Sequence, residues 1–353
     1  MKRIFIIEIV PNEFVAITKG AQAANNFCTH LIDSDVFDHA YSIVPSKLYV
    51  NGIQSTDKIT YYHGNPNHSH FFKHLKMVWC NIKCSIDCRK AQNIWMYNIC
   101  HANILCFLIL KYIFRKNIYA ILLDYTPDDN RFHLQHYYPL FLKSTKGLIS
   151  LSQRINFRHK NIIYKAGVMS LDKIRRFYPT KFNEKLVFLF CGNMGNHTGF
   201  PLVIDVFSEM ANCELYISGK NPSIDVDFSK YPNIHYLGYM EYDDFIKLYE
   251  KVDVCLSFRN PSYPENYYNF PSKIIEFFSQ NKIVLSTLDY PELQGFKYIC
   301  CKYDRDSVID CINHLLSMPD EQLNKYRNNS EMLINNYSVE SWKEAMVKLE
   351  ENT

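Results

Sequence analysis

The stretch from residue 186 to residue 192, LVFLFCG, is an uninterrupted apolar run that ends in glycine, as a buried strand of a parallel sheet does. Predicted helices and strands alternate after it and end in the strand KIVLST at residues 282–287. Their order, β-α-β-β-α-β-α-β, is that of a nucleotide-binding α/β domain. The sequence therefore predicts a Rossmann-like domain over residues 184–335. Three further predicted helices close the chain at residues 305–318, 319–334 and 339–350.

The N-terminal half of the chain alternates less regularly between strand and helix patterns. Strands are predicted at residues 3–9, 58–62, 93–98, 119–123 and 147–151, and helices at residues 22–31, 70–80 and 102–114. Such alternation indicates a second α/β domain with a parallel sheet. We place it at residues 1–170, because the charged, proline-containing stretch 167–184 is the best domain boundary, and we assign residues 336–353 to a C-terminal helix.

Length and charge limit the classes of protein to which the chain can belong. Its 353 residues suit two domains, and its net charge of +3 lacks the strong basic excess of a nucleic-acid-binding protein. The longest apolar run, at residues 102–114, contains Lys111 and is too short to cross a bilayer. We therefore expect a cytoplasmic protein with no transmembrane helix and no nucleic-acid partner.

Residues 70–90 carry two patterns that have alternative interpretations. Cys80, Cys84 and Cys88 are spaced four residues apart and would share one helix face, as packed thiols or, alternatively, as part of a zinc site. Aromatic and basic residues also alternate here, which is typical of a helix at an anionic lipid surface. The alternative for that second pattern is an ordinary amphipathic helix on the domain core.

Two stretches of the C-terminal domain suit phosphate binding. The strand-to-helix turn CGNMGNHTG, at residues 191–199, carries three glycines, which let the backbone approach a ligand closely. Its spacing is not that of the dinucleotide-binding fingerprint, so a tight connection remains the alternative. The second stretch, residues 257–280, ends a strand and leads through a loop rich in Tyr and Asn into a helix.

We expect that helix to begin at Pro271, because proline is favoured in the first helical turn. Ser272 and Lys273 would then present free N–H groups and a positive charge to a ligand. Glu276 lies about one turn further on, where a carboxylate can accept hydrogen bonds from two ribose hydroxyls. The alternative is a solvated surface pair of Lys273 and Glu276.

Four segments between residues 186 and 287 extend these motifs into a family resemblance: FLFCGN, ELYISG, NIHYLGYMEYDDFIKLYEKVDVCLSF and NFPSKIIEFFSQNKIVLST. In this order they resemble the donor domain of GT-B glycosyltransferases, in particular the retaining family 4 (glycosyl transferases group 1). The resemblance implies an α/β fold of the GT-B class. Such a fold has two facing Rossmann-like domains, a donor and acceptor cleft between them, and a C-terminal helix that packs back toward the N-terminal domain.

The resemblance also implies roles for individual residues. Glu276 would bind the donor ribose, and the backbone near Phe270, Ser272 and Lys273 would meet the diphosphate. Gly192 and Asn193 would line the interdomain cleft, and the segment 237–239 would lie near the base. The remaining donor-binding residues that we carry over are Gly20, Gly219, Lys220, Leu237, Tyr239, Arg259, Tyr268 and Asn269.

Two positions depart from the family pattern. The family often has a Glu-x7-Glu pair whose first glutamate touches the donor sugar, and Tyr268 occupies that position here, with Glu265 and Asn269 close by but out of register. Thr198 stands where the family tends to have a lysine. The charge that this lysine would provide must then come from Lys220, Arg259 or Lys273.

His101 and Asp124 are the candidate catalytic residues of the N-terminal domain. The family often has a histidine near His101 that contacts the donor sugar, and a polar helix start is the alternative. Asp124 ends a predicted strand and could bind acceptor hydroxyls, or it is a turn residue. Three Asp-x-Asp matches, at residues 33–35, 225–227 and 304–306, do not directly follow a strong apolar strand, so we predict neither a metal site nor a cofactor.

The sequence thus predicts a glycosyltransferase that moves a hexose or related sugar from a UDP- or GDP-linked donor to a glycolipid or growing polysaccharide, with retention. The expected setting is bacterial capsule, O-antigen or exopolysaccharide assembly, with peripheral membrane contact through residues 70–90 at the inner face of the plasma membrane. Two alternatives remain open. One is a non-catalytic GT-B protein that binds a sugar nucleotide, and the other is a sugar-nucleotide epimerase of the same fold.

Overall fold

The computed structural model describes residues 3–18, 22–123, 125, 127–128, 130–155, 158–182, 185–220 and 222–352, with the backbone alone at residues 242 and 243. Contacts divide the chain into two units. The first unit comprises Met1–Val168 with Ser338–Thr353, and the second comprises Met169–Tyr337. Each unit has its own parallel sheet and its own buried apolar core.

A parallel sheet of seven strands forms the centre of the first unit. The strands are β1 (Arg3–Ile7), β2 (His39–Ile43), β3 (Ile59–Tyr62), β4 (Asn93–Tyr97), β5 (Asn117–Leu122), β6 (Gly147–Ser150) and β7 (Ile162–Tyr164). Their order in the sheet is β3-β2-β1-β4-β5-β6-β7. The chain runs outward from β1 on one side and from β4 on the other, so the crevice where parallel sheets bind ligands lies between the carboxyl ends of these two strands.

Five helices connect the strands of this unit: α1 (Asn12–Thr18), α2 (Gln22–Asp33), α3 (His70–Cys88), α4 (Ile104–Leu108) and α5 (Tyr138–Lys143). The five predicted strands are confirmed. Two strands were not predicted: β2, which is partly polar, and β7, which is three residues long. The helix predicted at 102–114 is confirmed as a helical segment, but it begins at Ile104, after a turn that Asn103 stabilises, and continues from α4 as the π-helix Ile109–Ile113.

The last helix of the chain belongs to the first unit. It covers Val339–Glu351 and buries Trp342 completely, with the indole Nε1 donating to the carbonyl of Gly167 at 2.7 Å. Near its end, Glu350 accepts hydrogen bonds from the Trp95 indole at 2.9 Å and from the Arg3 guanidinium at 2.8 Å. These contacts join the helix to the N-terminal sheet.

The second unit has a six-stranded parallel sheet. Its elements are β8 (Val187–Asn193), α6 (Phe200–Phe207), β9 (Glu214–Lys220), β10 (Ile234–Tyr236), α7 (Tyr242–Leu248), β11 (Val254–Ser257), α8 (Pro264–Tyr268), α9 (Lys273–Ser279), β12 (Ile283–Ser286), β13 (Ile299–Cys300), α10 (Arg305–Ser317), α11 (Asp320–Arg327) and α12 (Ser330–Tyr337), and α13 (Val339–Glu351) follows in the first unit. The sheet order is β10-β9-β8-β11-β12-β13, so the crevice of this sheet lies between the carboxyl ends of β8 and β11.

The predicted alternation of this unit is confirmed, with α8 and β13 as additional elements. The single helix predicted at 319–334 was wrong, because the chain breaks between α11 and α12. At the break, the buried Asn329 side chain donates to the carbonyls of Lys297 and Tyr326 and accepts from the Lys297 N–H. These bonds compete with the helical pattern that the apolar spacing suggests.

Within the part of the chain that the structure describes, no helix combines the length and the apolar character that crossing a membrane requires.

Candidate functional site

Two glycines bring neighbouring strands into close contact at the carboxyl edge of the second sheet. Gly192 of β8 pairs with Gly219 of β9, and a Cβ atom on Gly219 would lie 2.1 Å from the Gly192 carbonyl oxygen. Gly192 itself has φ +112°, a conformation that side chains rarely adopt. The two strands therefore have bare backbone one residue before their ends at Asn193 and Lys220, beside the crevice between β8 and β11.

The Lys273 side chain lies over that bare backbone. A Cβ atom on Gly192 would lie 3.0 Å from the Lys273 Nζ, which also donates to the Cys191 thiol at 3.4 Å. Lys273 is exposed, so its charge is available to an anion. Of the three residues proposed to supply a positive charge beside the glycine turn, Lys273 is thus the one whose ammonium lies against Gly192.

The helix that carries Lys273 begins later than predicted. Pro271 and Ser272 form a turn, in which their carbonyls accept from the N–H groups of Ile274 and Ile275, and α9 starts at Lys273. Among the described residues, no acceptor is present for the N–H groups of Ser272 and Lys273. The correction therefore shifts the helix start but leaves both donors available.

Glu276 is held by a buried phenol. The hydroxyl of Tyr249, a fully buried side chain, donates to Glu276 Oε1 at 2.9 Å, and no described residue bonds the other carboxylate oxygen. The alternative of a surface ion pair between Lys273 and Glu276 is not what the structure shows, since no such pair occurs among the described side chains. A carboxylate with one fixed oxygen is well placed to accept hydrogen bonds from a diol.

Lys220 and Tyr239 form a cation–π pair at the carboxyl ends of β9 and β10. The Lys220 Nζ, at the end of β9, lies 3.7 Å from the centroid of the Tyr239 ring, and both side chains are exposed. Leu237, between Tyr239 and β10, is also partly exposed, while its N–H donates to the Ile217 carbonyl at 2.9 Å. The predicted base-binding segment 237–239 therefore lies beside Lys220.

The segment after β11 contains a helix that the sequence analysis treated as loop. The helix α8 ends at Tyr268, and the N–H of Asn269 donates to the Glu265 carbonyl at 3.0 Å. Phe270 is buried against the Tyr290 ring at a centroid distance of 5.3 Å. The backbone of Arg259 is fixed at both ends by Thr287 Oγ1, at 2.8 Å and 3.1 Å.

Two polar residues that the site predictions did not include stabilise this edge. The buried Asn266 side chain donates to the carbonyls of His197, at 2.7 Å, and Asn260, at 2.8 Å, so it joins the segment after β11 to the glycine turn. The Thr198 hydroxyl donates to the carbonyls of Asn193, at 2.7 Å, and Gly195, at 2.8 Å. Thr198, at the position where the family pattern has a lysine, thus closes the turn instead.

The first sheet has a different group of residues at its own crevice. Glu8 directly follows β1, and the thiol of Cys100, which follows β4, donates to Glu8 Oε2. Burial raises the pKa of Glu8 to about 7, although the Cys100 hydrogen bond and the Lys47 charge act in the opposite direction. Glu8 was not among the site predictions, because nothing in the local sequence shows that Cys100 faces it.

His101 is the one catalytic candidate of this sheet whose position the structure gives. It is exposed in the turn before α4, next to Cys100, and its backbone forms a hydrogen bond with the Tyr138 phenol. Burial, followed by the charges of Cys100 and Glu8, raises the pKa of Tyr138 to about 12. The other two predicted residues of this sheet, Gly20 and Asp124, lie outside the described residues.

Metal-binding groups are not found in the described ranges: no three His, Cys, Asp or Glu side chains there are close enough together to hold an ion. Cys80, Cys84 and Cys88 share the buried face of α3, and the thiols of Cys84 and Cys88 are 4.0 Å apart. The three cysteines are therefore packed as core residues, which was the first of the two interpretations.

No protein-family model and no curated sequence matches this chain. Solved structures do resemble it. Anabaena HepE, in complex with UDP and glucose, has a TM-score of 0.65 at 11% identity, and the match covers 100% of both chains. The lipopolysaccharide outer core galactosyltransferase WaaB has a TM-score of 0.64 at 12% identity, over 100% of this chain and 99% of the other.

The Neisseria meningitidis UDP-GlcNAc 2-epimerase bound to UDP-GlcNAc is also similar, with a TM-score of 0.57 at 14% identity over 100% of both chains. At this level of identity the likeness shows the fold. The chain is an α/β protein of the GT-B class with two Rossmann-like units, as predicted.

Proposed function

We propose that this protein is a glycosyltransferase that moves a hexose or related sugar from a UDP- or GDP-linked donor to a glycolipid or growing polysaccharide. The observation that carries the proposal is the arrangement at the edge of the second sheet. There the Lys273 ammonium lies over bare glycine backbone, and Glu276 follows one turn later with one oxygen fixed by Tyr249. The solved structures of HepE with UDP and glucose and of the galactosyltransferase WaaB support it, since they have the same fold.

The donor would lie along the carboxyl edge of the second sheet. Glu276 would accept hydrogen bonds from the two ribose hydroxyls, and Lys273 would neutralise the diphosphate on which negative charge builds as the sugar leaves. Tyr239 offers a ring face to the base. The other donor-binding residues of the proposal are Gly20, Gly192, Asn193, Gly219, Lys220, Leu237, Arg259, Tyr268, Asn269, Phe270 and Ser272.

The acceptor would bind at the N-terminal domain, residues 1–170, with the helix of residues 336–353 as part of that side of the protein. His101 and Asp124 remain the proposed catalytic residues, and Glu8 joins them as a carboxyl that can exchange a proton near neutral pH. Retention, and the role of the leaving diphosphate in taking the acceptor proton, rest on the family 4 resemblance. Lys273 can supply the charge that a metal ion provides in other transferases, so we propose a reaction without metal or other cofactor.

The proposed setting is the cytoplasmic face of a bacterial plasma membrane, in capsule, O-antigen or exopolysaccharide assembly. Peripheral contact through residues 70–90 would hold the protein beside a lipid-linked acceptor. Nucleic acid is not among the proposed partners, because the net charge is only +3.

A thermal-shift titration with UDP, GDP, CMP and ADP tests the donor site. A nucleotide at about a hundred times its dissociation constant stabilises the folded state by about 2.7 kcal/mol, a shift of several degrees. We expect one nucleotide to raise the melting temperature of the wild type and of Glu250→Ala, an exposed control, but not that of Glu276→Ala. A shift that persists in Glu276→Ala would exclude the assigned ribose contact, and no shift by any nucleotide would favour a non-catalytic protein.

A second candidate function is sugar-nucleotide epimerisation, and Glu8 is the specific observation in its favour. An epimerase needs acid and base groups at the sugar, and a mostly buried carboxyl with a pKa of about 7, bonded to Cys100 directly before His101 in the chain, is a candidate for one of them. Incubation with UDP-sugars separates the two functions. Interconversion of donor sugars without an acceptor would support the epimerase, whereas sugar transfer to an added glycan would support the transferase.

A further inference from the structure

Helix α3 is apolar on two opposite faces. One face, which includes Met77, Cys80, Cys84 and Cys88, is buried against the first sheet and its neighbouring helices. The opposite face carries six large apolar side chains that remain exposed. They are Phe71 (66% exposed), Phe72 (59%), Leu75 (49%), Val78 (43%), Trp79 (56%) and Ile86 (41%), and we call them the outer face of α3.

The six side chains of the outer face form one continuous stripe. At 3.6 residues per turn they fall within an arc of about 120° along the whole length of the helix. An ordinary surface helix presents polar residues on this side. An apolar stripe of this length, including three aromatic side chains, marks a surface that contacts something other than water.

The charges around the stripe are almost all of one sign. Residues 70–90 contain the five basic residues Lys73, Lys76, Lys83, Arg89 and Lys90 and one acidic residue, Asp87, which gives a net charge of 5 − 1 = +4. Helical spacing places Lys76 and Lys83 along one border of the outer face, about 80–100° from its centre. Lys83 is exposed, and its Nζ lies 5.7 Å from the Tyr62 ring centroid.

This charge decides between two possible occupants of the outer face. A second copy of the chain, paired through the same helix, would bring two such basic segments together, and like charges oppose that pairing. A bilayer with anionic headgroups satisfies both features at once, because it takes up the apolar side chains and attracts the lysines beside them. Aromatic side chains such as Trp79 are also favoured at the headgroup boundary.

We propose that the outer face of α3 docks on a bilayer that contains anionic phospholipid. Phe71, Leu75 and Trp79 enter the boundary between headgroups and acyl chains, while Lys76 and Lys83 pair with lipid phosphates. This deepens the peripheral contact of the proposed function and rests on that function only for its purpose, which is to hold the enzyme beside a lipid-linked acceptor.

Co-sedimentation of the full-length protein with sucrose-loaded vesicles tests the proposal without nucleotide or acceptor. Vesicles of phosphatidylglycerol mixed with phosphatidylcholine should bind the wild type, and vesicles of phosphatidylcholine alone should bind it much less. Replacement of Lys76 and Lys83 by glutamine should lower binding about five-fold per lysine. Raised salt should also weaken the binding of the wild type to these vesicles, because it screens the lysine charges.

A double variant, Phe71→Ser with Trp79→Ser, removes the two largest exposed apolar surfaces of the outer face and should lower binding about ten-fold or more. The matched control, Leu171→Ser with Tyr178→Ser, changes two exposed side chains of the second unit and should bind as the wild type does. Unchanged melting temperatures would show that each variant folds.

Three results would overturn the proposal: no sedimentation of the wild type with anionic vesicles, equal binding by the Phe71 and Trp79 variant, or equal binding to both vesicle types. A dimer in sedimentation velocity that the same variant abolishes would instead assign the outer face to a second copy. None of these outcomes changes the nucleotide titration, so a failure here and a failure of the proposed donor site are distinguishable.

Discussion

The two sheets have the same central arrangement but differ in what stands at their carboxyl ends. In the first unit the crevice between β1 and β4 holds Glu8 and Cys100, two mostly enclosed side chains that bond each other. In the second unit the crevice between β8 and β11 lies beside bare glycine backbone, with the exposed Lys273 above it. An open positive site suits an anion, whereas an enclosed carboxyl suits proton exchange. In the proposed function, the second sheet would therefore bind the donor and the first would exchange the proton.

The largest effect is expected where the two glycines of the second sheet meet. In Gly219→Ala the new methyl would lie 2.1 Å from the Gly192 carbonyl oxygen, a backbone atom that cannot move aside without distorting β8. We expect a loss of about 3 kcal/mol or more in the free energy of unfolding, and loss of the nucleotide-dependent thermal shift. Chemical denaturation and the nucleotide titration measure the two effects.

Gly52→Ala is the control for that variant. Gly52 lies in the first unit, outside the proposed donor site, and has φ +92°, while a Cβ atom there would be 3.6 Å from the Phe14 ring, an ordinary contact distance. Gly52→Ala should therefore cost only the conformational strain of about 1 kcal/mol and should keep nucleotide binding. If Gly219→Ala behaved like Gly52→Ala, the close contact of β8 and β9 would not define the edge of this sheet.

The enclosed carboxyl of the first sheet should make stability depend on pH. Burial raises the pKa of Glu8 to about 7 in the folded protein, from an ordinary value of 4.5, so the folded state binds the proton more tightly than the unfolded state. Its contribution to stability is therefore full below about pH 4.5 and is lost as pH rises to about 7, a change of up to about 3 kcal/mol. Glu8→Gln should remove this decline, as denaturation curves across that range would show.

Cys100→Ala sharpens the same test. The thiol hydrogen bond favours the ionised carboxyl and opposes the effect of burial on the Glu8 pKa, so its removal should extend the decline in stability to higher pH. An identical pH dependence in wild type, Glu8→Gln and Cys100→Ala would mean that the Glu8 carboxyl is hydrated like a surface group, and the contrast between the two sheets would disappear.

A smaller effect is expected from the open charge of the second sheet. Lys273→Gln keeps a flexible polar side chain but removes the ammonium above Gly192, and we expect UDP affinity to fall about thirty-fold, or about 2 kcal/mol. The exposed Lys251→Gln should retain the affinity of the wild type. Isothermal titration at low and high salt measures both, and equal affinities for the two variants would remove Lys273 from the diphosphate site.

The sequence was a better guide to the second sheet than to the first for a physical reason. Short local patterns contain the glycine turn at the end of β8 and also Lys273 and Glu276. In such a pattern an apolar run, a turn and the start of a helix follow one another directly. The pair of Glu8 and Cys100 joins residues that are 92 positions apart, and only the pairing of β1 with β4 brings them together. A contact between residues so distant in sequence cannot be predicted from local patterns.

The errors in helix boundaries have a related origin. Asn103 and Asn329 use their amides to bond backbone groups of neighbouring segments. The bonds of Asn103 hold a turn that delays the start of α4, and those of Asn329 separate α11 from α12, although the apolar spacing would allow a helix at both places. Likewise, residues 264–268 form α8, although the Tyr and Asn residues of this stretch had indicated a loop. Spacing predicts which face is buried, but tertiary hydrogen bonds decide where an element ends.

The smallest effect concerns the phenol that holds Glu276. Tyr249→Phe preserves the buried ring and removes the hydroxyl that donates to Glu276 Oε1, so the carboxylate gains freedom to turn away from a bound ribose. We expect UDP affinity to fall about five-fold, near 1 kcal/mol, with little change in melting temperature. A double-mutant cycle assigns the cause: in a Glu276→Ala background the Tyr249→Phe change should have no further effect on UDP affinity. If the two changes were additive, Tyr249 would act on the nucleotide by another route, and the site would not depend on a carboxylate fixed from the core of the second unit.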